Sequence, residues 1–333
     1  MHSARRVSRA LITGAAGAAV MFYAVSPVIA NATPSPNYCY SANGRTISKG
    51  SAYCTTDPGR NVAAAHGANS SATATGGSNN RAFANGENSR AEAGNGNNNT
   101  AAASGKESIA VANNGNSNKA TAIGTNRAYA GYGNNNTATT VGNGSTSSAG
   151  GYDRDYQTGS GDNNTATAIG TNTLVVAAGG NNNNAKAIGD NSDAFAGHGY
   201  VYPDGNYSDN NTATALGDNS FAAAGGLDSQ NQDGADNNTA TATGDGSRAA
   251  AHEGDNNTAT ASGQSTNAEA KNGSANTATA TGDGSSALAT DGDGNTAAAS
   301  NGGAAIAGPT SGNTATANAC SITVTGVDQT GSC

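Results

Sequence analysis

The stretch Asn163-Asn164-Thr165-Ala166-Thr167-Ala168-Ile169-Gly170 decides the fold, because most of the chain after residue 60 is a variation on it. It returns as NNTATALG at 210–217, NNTATATG at 237–244, NNTATASG at 256–263 and, shortened, NTATATG at 276–282. Ala166 and Ala168 stay alanine in nearly every copy. The residue between them varies freely: Thr167 here, and Phe83, Glu92, Val111, Tyr129, Lys186, Glu269 or Leu288 elsewhere. Charges do not sit unpaired in a core, so the variable column faces solvent and the alanines face inward. An alternation of period two is a strand period, not a helical one. Gly170 permits a positive φ, and the asparagine pair tolerates left-handed backbone and can form ladders between neighbouring turns of the chain.

Working outward, the residue that opens each strand has counterparts every nine or ten residues from Ser71 to Thr314. Ser147 and Ala305 are read among these anchors, and one step is of eight. Two strands and two turns then make a coil of about 19 residues, the period of a solenoid. The expected architecture is all-β: one elongated parallel β-solenoid of about twelve coils, two short strands per coil, with a thin alanine core. At one strand spacing per coil the rod is about 55–60 Å long.

Leu, Ile, Val, Phe and Met are scarce, Trp is absent, and most of the 35% hydrophobic content is alanine. That composition alone leans towards disorder. The fixed period and the low charged fraction of 11% argue the other way.

Residues 1–32 read as a secretory signal peptide. Arg5, Arg6 and Arg9 form a basic head, Ala10 to Val25 an uncharged Ala/Gly-rich centre, and Ala30-Asn31-Ala32 a small-residue cleavage site. The pair Arg5-Arg6 hints at twin-arginine export. No later stretch is apolar enough to cross a bilayer, so the expected location is secreted or cell-surface, with no integral membrane association after cleavage. Without the signal arginines, the 15 basic residues fall to 12 against 23 acidic, a net charge of −11. An acidic surface without Lys/Arg clusters argues against nucleic acid.

Cys39 and Cys54 precede the array, and Cys320 and Cys333 follow it. An even count in an exported chain favours disulfides; of three possible connectivities, local pairing is the simplest and ties off a loop at each end. The domain reading is signal peptide 1–32, N-terminal cap 33–60, solenoid 61–318 and C-terminal cap 319–333.

Ala187-Ile188-Gly189-Asp190-Asn191-Ser192-Asp193-Ala194-Phe195-Ala196-Gly197 resembles the head repeat of the YadA-type trimeric autotransporter adhesins, as do AIGTNRAYAG at 122–131 and ALGDNSFAAAG at 215–225. The likeness spans residues 60–320 in style. It implies a left-handed parallel β-roll, a homotrimer and attachment to a surface glycan, matrix or protein ligand. The coil here is longer, because an Asn-rich turn precedes each TAT strand. Neither a coiled-coil stalk nor membrane-anchor strands follow Ser321-Ile322-Thr323-Val324-Thr325.

Two outward faces are expected. One carries paired threonines, most regularly Thr212/Thr214, Thr239/Thr241, Thr258/Thr260 and Thr277/Thr279, interrupted upstream by Lys119 and Asn184/Lys186. A flat, charge-free grid of this kind resembles the TxT faces of solenoid antifreeze proteins, although threonine is also simply favoured on exposed strands. The other face is mixed. Three insertions, 150–162, 198–209 and 226–236, leave from the corner after it, and the first two bring Tyr152, Tyr156, Tyr200, Tyr202 and Tyr207. Loops on one edge of a solenoid are frequent binding sites and are the candidate adhesive loops here.

Asp-Gly turns such as Gly244-Asp245-Gly246, Gly282-Asp283-Gly284 and Asp291-Gly292-Asp293-Gly294 approach the turns of calcium-binding β-rolls. They lack the aspartate that motif needs after its glycines, and read as turn residues. His66, His198 and His252 look isolated, no serine is paired with a base, and no carboxylate pair recurs where a pKa would shift. The expectation is a non-enzymatic structural or adhesin-like protein without cofactor or metal; ice binding through the threonine face and calcium binding are the alternatives.

Overall fold

The computed structural model describes residues 37–151, 161–197, 208–226 and 235–333. It is a β-solenoid of about thirteen turns at a spacing of about 19 residues, with no helix among the described residues. Two parallel ladders run its length. One holds the threonine-type strands: Thr165–Thr171 pairs with Asn184–Ile188, which pairs with Thr212–Leu216, and so on coil by coil. The other holds the mixed strands, such as Leu174–Ala178 on Asp193–Gly197. The insertions leave this register untouched: Thr167 faces Lys186, Lys186 faces Thr214 and Thr214 faces Thr241, although 19, 28 and 27 residues separate them.

Ala166, Ala168 and their counterparts are buried almost without exception, most at 0% exposure, as the period-two reading requires. Alanine is small enough for the two ladders to close on each other, and one odd coil shows how tightly. In the strand Thr137–Gly150 the inward positions include Thr140 and Ser147, whose hydroxyls bond each other at 2.6 Å inside the core. In the last coil Ile322 and Val324 replace alanines of the mixed ladder, and both approach Gly331 opposite. The added volume on one strand is matched by its removal from the other.

Two anchors differ from the sequence reading. Strand pairing begins at Thr146, not Ser147, and at Ala304, not Ala305. Ser145 fills a buried corner position used by serine in other coils, which moves the strand phase back by one. A one-residue slip exchanges the faces. Hence Ser147 points inward, and Ile306 stands on the surface at 36% exposure.

Asn163 and Asn164, alike in sequence, do different work. Asn163 adopts φ 59° at the exposed corner. Asn164 is fully buried. Its backbone N–H donates to Asn136 Oδ1 (2.9 Å), its own Oδ1 accepts the N–H of Asn183 (2.9 Å), and its Nδ2 donates to the carbonyl of Gly180 (2.8 Å). The same N–H to Oδ1 link runs from Asn61 through Asn80, Asn99 and Asn118 to Asn136, and onward from Asn183 to Asn313. The opposite corner buries a shorter side chain: Ser89, Ser220 and Ser247 donate to the glycine carbonyl three residues back. Beside the alanine core, therefore, stand two polar columns with partners in the next coil or the same turn.

The ends depart from the parallel rule. β1 (Tyr38–Ala42) runs antiparallel to β2 (Arg45–Lys49), and antiparallel to β4 (Val62–His66) on its other side; β3 (Tyr53–Thr56) already joins the mixed ladder through Ser71–Thr75. The outermost strand, β2, is exposed throughout and carries Arg45 and Lys49, charges that discourage further edge pairing. At the other end Ser321–Val324 and the three-residue strand Thr330–Ser332 extend the parallel ladders. Disulfides join Cys39 to Cys54 and Cys320 to Cys333, the local pairing. Such bonds fit an oxidising compartment.

Candidate functional site

The threonine face is built by register. Thr212, Thr239, Thr258 and Thr277 stand in one column, and Thr214, Thr241, Thr260 and Thr279 in the next. All eight are half-buried, because each has a neighbour above and below and buried alanines on either side along its strand. Columns lie about 6.7 Å apart along a strand and rows about 4.8 Å apart between coils. The grid continues through Thr296 and Thr314 but loses its second column at Ala298. Upstream, Asn184 and Lys186 separate it from Thr165 and Thr167.

The turn aspartates form columns of their own. Asp190 Oδ1 accepts the N–H of Thr171 (2.8 Å), Asp218 that of Asp190 (2.9 Å) and Asp245 that of Asp218 (3.0 Å). Asp283 accepts from Gln264 and Asp293 from Ser274 in the same way. One oxygen of each carboxylate is thus committed to the next coil's backbone, which offsets the repulsion of stacked like charges. Among the described residues no three or more His, Cys, Asp or Glu side chains are grouped to hold a metal ion.

His252 is not isolated. It is buried at the end of the strand Arg248–His252, with Nε2 3.3 Å from Glu269 Oε1 and Nδ1 3.6 Å from Glu253 Oε1. Lys271 Nζ lies 2.9 Å from the same Glu269 oxygen. The hydrogen bond from His252, then that from Lys271 and the charges of both, hold the Glu269 carboxyl at about 2 against the opposing pull of burial. A carboxylate kept ionised in this way is poorly suited to act as a general acid. Its pKa lies below the ordinary value, so its stabilising contribution is complete above about pH 4.5 and fades as pH falls towards 2. We expect the melting temperature of Glu269→Gln to fall less than that of the wild type between pH 5 and pH 2. Parallel losses in melts at pH 5, 3.5 and 2 would refute this.

Elsewhere on the mixed face, Phe195 and Phe221 pack with ring centroids 5.9 Å apart, and the Arg248 guanidinium lies 4.8 Å over the Phe221 ring. Burial lowers the pKa of the Lys119 ammonium. It raises that of Asp193, where the backbone N–H of Leu174 (3.1 Å) pulls the other way. Partners in both clusters are 17 to 28 residues apart, so only the coil register brings them together. Tyr152, Tyr156, Tyr200, Tyr202 and Tyr207, the candidate adhesive loops, lie outside the described residues, as do the signal segment and His198. No helix among the described residues is long and apolar enough to cross a membrane. Comparison with protein-family models and with curated proteins finds no match.

Proposed function

We propose that the chain is an exported, non-enzymatic scaffold that presents its sheet faces and corner loops to a surface or matrix ligand. The observation that carries this reading is the continuous inter-coil ladder. Every coil's corner asparagine and backbone strand are bonded to the next, which makes a stiff support for repeated outward side chains. Binding sites concentrate where such a support holds loops and faces in fixed positions. The two disulfides accord with export. The resemblance to adhesin heads supports attachment as the role. The test is retention of the purified mature chain on cell-surface and matrix preparations, compared with a variant lacking 198–209. Retention that depends on that segment supports the tyrosine corner as the contact; equal retention by both moves the contact to a face, and no retention of either removes the adhesive reading.

A second reading has its own observation. Thr212 to Thr279 form two unbroken columns at nearly lattice-like spacing on a flat sheet, and in an ice-binding protein such a face would match ordered water. Under that reading a millimolar solution shows thermal hysteresis that Thr241→Lys together with Thr260→Lys abolishes. Absence of hysteresis in the wild type would end it.

A further inference from the structure

A groove of about 410 Å³ opens on the mixed face over three successive coils, within the roughly 300–1,000 Å³ typical of small-ligand sites. Register sets its layout. Arg90, Ile109 and Arg127 stand in one column, and Glu92, Val111 and Tyr129 in the adjacent one. The apolar centre is Ile109, Val111 and the half-buried Tyr129; a guanidinium stands one coil to either side of Ile109.

The two arginines are not equivalent. Arg90 Nη2 is bonded to Glu92 Oε2 at 2.6 Å. No carboxylate among the described residues lies within ion-pairing distance of Arg127, which is exposed at the groove wall. The groove therefore carries one uncompensated cation on a chain of net charge −8. A second feature marks the same place. Tyr132, which lines the groove, has φ 51° at a corner where Asn95, Asn114, Asn272 and Asp291 hold the left-handed position in other coils. A bulky residue in that conformation costs about 1–2 kcal/mol relative to an extended one, and such outliers gather at binding sites.

Together these features select a ligand. A lone guanidinium calls for one carboxylate, held by paired charge-assisted hydrogen bonds. A small apolar floor edged by tyrosine suits the C–H face of a pyranose ring. Glu92 accepts hydroxyl hydrogens but repels a polyanion, which disfavours phosphate-rich ligands. We infer that this groove binds an acidic saccharide, with Arg127 on a uronic-acid carboxylate, the sugar ring over Val111 and Tyr129, and Glu92 receiving a hydroxyl. The inference rests on the adhesive reading for its biological sense and names the ligand class that reading leaves open.

The test is a calorimetric titration of the full mature chain with a tetrasaccharide of alternating glucuronate and N-acetylglucosamine. The same tetrasaccharide with its carboxyls reduced to alcohols serves as the comparison. The expected result is binding of the acidic form at least tenfold tighter than of the reduced form. Arg127→Gln should lose at least tenfold, Arg127→Lys should regain part of it, and Thr260→Ala on the opposite face should bind as the wild type. Equal affinity for the reduced sugar, undiminished binding by Arg127→Gln, or equally tight binding of a short peptide through its terminal carboxylate would overturn the assignment. Surface retention measured alongside separates the two claims. Retention of Arg127→Gln at the wild-type level, with no saccharide binding in solution, defeats the groove and leaves the scaffold reading standing. Saccharide binding without retention on any surface does the reverse.

Discussion

Asn164→Ala is expected to lower stability by about 2–6 kcal/mol, read as the shift of the urea midpoint at unchanged slope. The substitution leaves the N–H of Asn183 without its acceptor and the carbonyl of Gly180 without its donor, both in the interior of the stack. A buried polar group stripped of its partner costs roughly 1–3 kcal/mol, and two are stripped here. The ladder also grades its own members. Asn238 accepts the N–H of Asn257 at 2.8 Å, but its Nδ2 has no partner, so Asn238→Ala removes one bond where Asn164→Ala removes two. The smaller loss should therefore fall on Asn238. Asn163→Gly, at the exposed left-handed corner, should change little, because glycine adopts φ 59° without strain. Equal losses at Asn163 and Asn164 would mean that the asparagines act only as turn residues.

Gly170→Ala is the second large effect. Gly170 has φ +144°, and a Cβ placed on it would stand 2.0 Å from the carbonyl oxygen of Gly189 and 2.7 Å from its carbon. The obstacle is the backbone of the adjoining coil, which cannot give way without opening the ladder between Thr165–Thr171 and Asn184–Ile188. The expected cost is at least about 3 kcal/mol, combining backbone strain with overpacking. Since each coil touches only its neighbours, the damage should appear as a split melt and not as a uniform loosening. Gly284 is the control: its φ is +69° and nothing lies within 4 Å of an added Cβ. Gly284→Asn should be nearly neutral, because asparagine tolerates the left-handed region. A single cooperative transition at the wild-type midpoint for Gly170→Ala would contradict the close coil contact.

These two positions show where the fold was legible. Ala166 and Ala168 could be placed inside from sequence, because Glu92, Lys186 and Glu269 occupy the column between their counterparts and a charge cannot share an apolar core. The threonine columns followed from the same phase. Phase failed where residues offer no contrast: in Ser145-Thr146-Ser147-Ser148 and in Ala304-Ala305, small side chains fit either face, and only the strand pairing fixes which turns in. The separate duties of Asn163 and Asn164 were hidden for a related reason, since one residue type serves both a left-handed corner and a buried amide ladder. The antiparallel β1 and β2 occur once, so no repeat could reveal them. The groups around His252, and the groove at Arg127, lie 17 to 37 residues apart in sequence and become neighbours only through the coil register.

That register is the central claim, and pulsed electron-resonance distances test it most directly. One spin label is held at Thr139 and a second is moved to Thr241, Thr260 and then Thr279, each carried on a bioorthogonal side chain so that the two disulfides stay intact. Thr139 pairs with Thr167 and then, coil by coil, with Lys186, Thr214, Thr241, Thr260 and Thr279. The expected distances are about 19, 24 and 29 Å, one strand spacing of about 4.8 Å per coil, with no allowance for the insertions. Distances that grow with the number of intervening residues, or that spread without a defined maximum, would contradict the stacked-coil fold on which every site described above depends.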